Sequence, residues 1–159
     1  MIKVFISHQA ADSQLAKQIA DRLSYRHGIS YYLDVVDNFT SKPGEDISAH
    51  IQSELKKCTQ LLAVVSAATR TSWWVPWEIG IATEKEYPLA TYVAGTTAPP
   101  EYLQKWPYLR SEADVDRYAD ASKGAERISA NRTATFSEGT QRTRATKEFY
   151  RIIRSSLGQ

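Results

Sequence analysis

The stretch Trp74-Val75-Pro76-Trp77-Glu78 sets a large aromatic and a carboxylate four residues apart. On a helix that spacing puts Trp74 and Glu78 on one face. An aromatic can stack on a base while a carboxylate holds a ribose or a developing cation. The stretch follows the apolar run Leu61–Val65, which reads as a buried strand. In an open α/β sheet, ligands gather at the carboxyl ends of such strands. On spacing alone, Glu78 is better read as an ordinary first-turn helix carboxylate steadied by the macrodipole. Trp74 divides evenly between ligand stacking and core packing. Trp73 and Trp77 share another face and are assigned to the core or a subunit contact. Ser72 is a helix N-cap first and a substrate contact second. Ser7 and His8 end the first strand and are assigned substrate hydrogen bonds, to phosphate or ribose. Asp34 ends the second strand; it caps the following loop or joins the site.

The elements that must position these residues alternate. Ile2–Ile6, Ile29–Leu33, Leu61–Val65 and Leu89–Val93 are apolar, β-branched or aromatic runs, each read as a strand. A fifth strand is placed near Tyr108–Arg110. Leu15, Ala16, Ile19, Ala20 and Leu23 mark a helical face, capped by Asp12 or Ser13 and closed at His27-Gly28. Ile47, Ile51 and Leu55 mark a second helix. The third carries Pro76 in its first turn, where a missing N–H costs little, and runs to about Glu86. Pro99–Pro107 reads as a short helix or turn. Glu112–Ala121 reads as a helix and Ser122–Glu138 as a loop. Phe149, Ile152, Ile153 and Leu157 share a face of the last helix.

Strict alternation of strand and helix implies a parallel sheet covered on both faces. Five strands with short connections suit the flavodoxin-like order, whose switch point lies between strands one and three. The loops there hold Ser7-His8-Gln9 and Ala67–Ser72. Topology and the Trp74/Glu78 spacing therefore converge on one place.

Bulk properties exclude several classes. A chain of 159 residues suffices for one domain with its own core. The net charge of +2 offers no nucleic-acid signal. The one cysteine, Cys58, excludes an internal disulfide framework and fits a reducing cytoplasm; it is most simply a small buried residue. No stretch approaches a membrane span, and the amino terminus is wrong for a signal peptide. No His/Cys cluster suggests a metal, and no Gly-rich nucleotide loop occurs. A phosphoacceptor receiver needs an aspartate where Ser66 ends strand three. A flavodoxin needs a glycine-bearing loop, which Ser7–Ser13 lacks.

Three stretches resemble a bacterial TIR domain over roughly residues 1–110. They are Lys3-Val4-Phe5-Ile6-Ser7-His8, Tyr32-Leu33-Asp34 with Lys42-Pro43-Gly44-Glu45-Asp46-Ile47, and Ser72-Trp73-Trp74-Val75-Pro76-Trp77-Glu78-Ile79-Gly80. Residues 111–159 match nothing nameable and are expected to form a helical extension packed on the same domain. The resemblance implies an enzyme that cleaves the nicotinamide–ribose bond of NAD, with Glu78 catalytic. NAD is then the substrate, and no separate cofactor is expected. It implies self-association, with the loop after strand two completing a neighbour's site. The chain is also similar to the TIR component of Thoeris anti-phage systems, whose cyclic ADP-ribose product activates a separate effector.

That chemistry needs little apparatus. Nicotinamide in NAD is already a cationic leaving group, so no general acid or metal is required. Positive charge develops at the anomeric carbon, as in glycoside hydrolysis. One carboxylate stabilises it or holds the ribose hydroxyls. Water then gives ADP-ribose; a nucleophile within the same molecule gives a cyclic product. Two other readings compete. One is a TIR scaffold that only mediates association. The other is a ribosyl-transferring enzyme acting on nucleosides.

Overall fold

The computed structural model describes residues 1–33, 44–95, 98–130 and 138–159. Five strands, β1 (Lys3–Ser7), β2 (Ser30–Leu33), β3 (Gln60–Val65), β4 (Leu89–Val93) and β5 (Tyr108–Leu109), form one sheet in the order β2-β1-β3-β4-β5. Every pairing is parallel. The helices are α1 (Ser13–Asp21), α2 (Gly44–Lys56), α3 (Trp74–Glu84), α4 (Glu112–Ala130) and α5 (Glu138–Leu157). This is the flavodoxin-like α/β arrangement expected from the alternation of patterns.

The two faces follow from the period of two along each strand. Val4, Ile6, Leu62 and Val64 point to one side, where they meet Ile19 and Leu23, Tyr118 of α4, and Phe149 and Ile153 of α5. Phe5, Leu61, Ala63 and Val65 point to the other, against Ile51 and Leu55 of α2 and Val75 and Ile79 of α3. In the register, Phe5 pairs with Leu61 and Ser7 with Ala63. The last residue of β1 therefore lies beside the interior of β3, close to the loop that starts α3.

The first helix ends as the sequence suggests, by an unexpected route. After Asp21 the backbone widens into a π turn, Arg22–Arg26. Gly28, at φ +64, reverses the chain, a conformation that a side chain disfavours. Its N–H bonds the Ser24 carbonyl at 2.9 Å, and the Ile29 N–H bonds the Leu23 carbonyl at 3.0 Å.

The expected loop at Ser122–Glu138 requires correction at its start. Helix α4 continues through Ala130; residues 131–137 lie outside the described part. Val115, Tyr118, Ala119, Ser122 and Ala125 are all buried and keep helical spacing. Three of them are small, so their stripe reads as weakly apolar. The Ser122 hydroxyl bonds the Tyr118 carbonyl at 2.9 Å, one turn back, a bond that lets serine sit inside a helix.

Asp116 ties α4 to the π turn. It accepts a bidentate pair from Arg22, 2.8 Å at each oxygen, and a bond at 2.7 Å from His27 Nε2. The Arg22 guanidinium, with His27 beside it, holds the Asp116 carboxyl far below the carboxylate range. A depressed folded value stabilises the protein above the unfolded pKa, ordinarily 3.8, and that stabilisation fades as pH falls below it. Asp116→Asn is expected to cost roughly 1.5–3 kcal/mol at pH 7. Urea titrations should show the gap to the parent shrinking as pH is lowered from 4 toward 2. A gap of the same size throughout would mean that the charge on Asp116 contributes nothing.

Candidate functional site

The site is built where β1 and β3 end. Ser7 Oγ donates a hydrogen bond to Glu78 Oε2 across 71 residues of sequence. Neither side chain has exposed surface. The chain positions both simply: Ser7 closes a strand pinned between β2 and β3, and Glu78 faces inward from α3 between the buried Val75 and Ile79. Glu78 is the fifth residue of α3, in its second turn. That corrects the first-turn placement. The dipole field of a helix end fades within one turn, whereas the Ser7 hydroxyl bonds the carboxylate directly.

A second polar contact fixes the neighbouring loop. Asp12 or Ser13 was expected to cap α1; Ser13 is the first residue of the helix, and the Asp12 side chain makes no capping bond. Its buried carboxylate instead accepts from Ser66 Oγ at 2.8 Å. Ser66 in turn caps the 3-10 turn Ala67–Thr71, accepting from the Ala68 N–H at 3.1 Å. Thr69 Oγ1 accepts from the Ser66 N–H at 2.9 Å. The loops after β1 and β3 are thus joined, and α3 starts from a held turn. Sequence reasoning missed Asp12 and Ser66 in this role; an Asp with a valid local reading as a cap gives no hint of a partner 54 residues away.

The other residues singled out from sequence are placed as follows. His8 is buried, and its Nδ1 lies 3.4 Å from the Ile6 carbonyl oxygen. Ser72 Oγ accepts from the Val75 N–H at 3.2 Å, the capping role. Trp74 is half-buried against the α2–α3 face of the sheet. Its ring meets Trp77 edge-on, with centroids 5.5 Å apart and planes at 81°. Trp73 does not enter the core: it is 90% exposed. Asp34 lies outside the described residues, as does the rest of the loop after β2.

A cavity of 510 Å³ opens at the carboxyl ends of β3 and β4, lined among others by Ser66, Thr69, Arg70, Ser72, Pro76 and Tyr102. Ser7 and Glu78 are not among its walls. Burial raises the Tyr102 phenol above its ordinary value. It also pushes the Cys58 thiol up to about 11, so that thiol is neutral and no nucleophile. Among the described residues, no group of three or more His, Cys, Asp or Glu could hold a metal. No described helix is long and apolar enough to cross a membrane.

A family model described as "TIR domain" matches residues 4–129. The chain belongs to the TIR domain family. This TIR domain has no match among curated proteins. Among solved structures it is similar to the SEFIR domain of IL-17 receptor B. The TM-score is 0.53 at 9% identity, covering 75% of this chain and 92% of that one. It is also similar to a prokaryotic SEFIR domain, with TM-score 0.50 at 18% identity, covering 80% of this chain and 92% of that one. At such identities the likeness is one of fold alone.

Proposed function

We propose that this TIR domain cleaves the nicotinamide–ribose bond of NAD, with Glu78 as the catalytic carboxylate. What supports the reading most is the buried Ser7–Glu78 hydrogen bond at the carboxyl end of β1. Burying a carboxyl group is costly unless it is hydrogen-bonded. Here a strand terminus and a helix converge to hold one beside the topological switch point. TIR-family membership adds weight, because the family includes NAD-cleaving enzymes.

The step balances without a metal or a general acid. The bond between the anomeric carbon and the nicotinamide nitrogen breaks, and its electron pair neutralises the pyridinium. The carboxylate of Glu78 stabilises the oxocarbenium charge or accepts from a ribose hydroxyl. Water attacks and releases a proton, giving ADP-ribose. Alternatively a nucleophile of the same molecule closes a ring, which requires a folded substrate and a site that excludes water. Ser7 orients the carboxylate. Trp74 offers an indole for stacking, and His8 and Ser72 offer hydrogen bonds. Because Glu78 has no exposed surface in this conformation, whatever covers it must give way to a ribose. Self-association that opens and completes the site provides a means. A cyclic product that activates a separate effector in anti-phage defence is the physiological form of the proposal.

Ser7→Ala removes the hydroxyl and leaves the strand. Since small misplacements of a catalytic group cost up to about 10²-fold, it is expected to lower kcat by roughly 10- to 100-fold while KM changes little. Nicotinamide release measured across NAD concentrations checks this. An unchanged kcat would detach the hydrogen bond from the chemistry.

The second reading is a module that acts only by association. Trp73, at 90% exposure, favours it, since tryptophan is enriched at interface hot spots. The two are compatible if association opens the catalytic site.

A further inference from the structure

The opposite end of the sheet holds a second concavity that the proposed chemistry does not use. A cavity of 560 Å³ lies below the amino ends of β1, β3 and β4 and is closed on its flank by α4 and α5. Its volume is in the usual range for small-molecule sites. Helix α5 lies beyond the matched span of residues 4–129, so Gln141, Arg142, Ala145 and Thr146 add a wall from outside it.

Gln60 forms part of the cavity wall and is 95% buried, with 5% of its surface exposed. Tyr118 Oη donates to its Oε1 at 2.8 Å, and Ser122 Oγ lies 2.9 Å from the same oxygen. Tyr118 is fully buried, and Ser122 also bonds its phenol. No hydrogen bond from Nε2 is seen among the described residues, and Gln60 lines the cavity. A half-satisfied amide in such a position calls for an acceptor.

The rim supplies charge. Lys57 is paired with Glu54 at 2.5 Å, and the Met1 amino group with Glu126 at 2.6 Å. Lys56 and Arg142 have no ion pair among the described residues; Arg142 lies 5.9 Å from the centroid of the Tyr87 ring. Two cations without an ion pair among the described residues line one cavity with the Gln60 amide, and an anion is the complementary guest.

We propose that this cavity binds a small organic anion, with its phosphate or carboxylate at Lys56 and Arg142 and an acceptor oxygen on Gln60 Nε2. The site is remote from Glu78 and independent of whether NAD is cleaved. Calorimetric titration of the full chain with AMP and, separately, citrate tests it and separates the two anion types. Saturable 1:1 binding of at least one probe is expected. The double charge reversal Lys56→Glu/Arg142→Glu alters only exposed side chains and should weaken binding by about tenfold or more. Gln60→Glu keeps the acceptor for Tyr118 and turns the open end into an oxyanion, and should do the same. Circular dichroism checks that each variant folds; if Gln60→Glu does not, the charge reversal decides. Absence of saturable binding by both probes, or affinity unchanged in the charge-reversed protein, would overturn the proposal. The second result would mean that the probe is held away from Lys56 and Arg142.

Discussion

Glu78→Gln should abolish detectable nicotinamide release from NAD while leaving the circular dichroism spectrum and melting curve close to those of the parent. The substitution preserves shape and keeps a carbonyl oxygen for the Ser7 hydroxyl to bond. It removes the negative charge that meets the oxocarbenium ion. Electrostatic groups of this kind are worth about 10²–10³-fold in kcat, enough to drop a slow NAD-cleaving enzyme below detection. Glu78→Ala is the harsher test, because it also leaves a void beside Val75 and Ile79, both buried. Loss of turnover in Ala with retention in Gln would mean that Glu78 packs and does no chemistry. Retention in both would remove it from the mechanism.

The second large effect concerns the last helix. Phe149 has no exposed surface and meets Tyr118 of α4 edge-on, with centroids 5.5 Å apart and planes at 82°. It belongs to the same buried cluster as Val4, Ile6, Leu62 and Val64 of the central strands. We propose that residues 111–159 fold as one cooperative unit with residues 1–110. Phe149→Ala is then expected to cost about 3–5 kcal/mol, the range for a buried Phe truncation. That is a large part of the roughly 5–15 kcal/mol that holds a typical domain together. Urea denaturation followed by both far-ultraviolet dichroism and tryptophan fluorescence measures it. Three of the four tryptophans lie in or beside α3 and report on the part outside α5; the fourth, Trp106, bonds Tyr150 of α5 and reports on that contact as well. A shift of both signals together supports one unit. A shift of dichroism alone would make α5 an appendage.

How much was legible depends on the range of the interaction. The strands were legible because β3 is buried throughout and β1 and β4 at all but one residue each, and strands covered on both faces read as near-continuous apolar runs. Strand order followed from five alternating strands with short connections, which suit the flavodoxin-like arrangement. Local devices were legible too: the Ser72 cap, Gly28 closing the first helix, and Pro76 in the first turn of α3. What failed was long-range or rested on small residues. Ser122 and Ala125 bury as helix residues, yet their low apolarity hid the second half of α4. Trp73, the residue before α3, is exposed, although the helix it precedes is buried at Val75, Glu78 and Ile79. Nothing in periodicity shows whether an indole at a helix start faces in or out. Trp74 pairs with Trp77, three residues on, rather than standing alone beside Glu78. The Ser7–Glu78 contact was approached only through topology, which brought the loops after β1 and β3 together without naming the bond. The Asp12–Ser66 contact joins those same loops, and it was hidden because Asp12 already had a plausible local reading.

The most direct measurement is chromatography of the products after purified protein is incubated with NAD over a range of protein concentrations. The account predicts free nicotinamide in equal molar amount to ADP-ribose or a cyclic isomer. The rate should rise more steeply than linearly with protein concentration, because the buried carboxylate is uncovered by association. NAD recovered intact at every concentration, including those at which the protein is shown to associate, would contradict the catalytic role of Glu78 and leave association as the function of this domain.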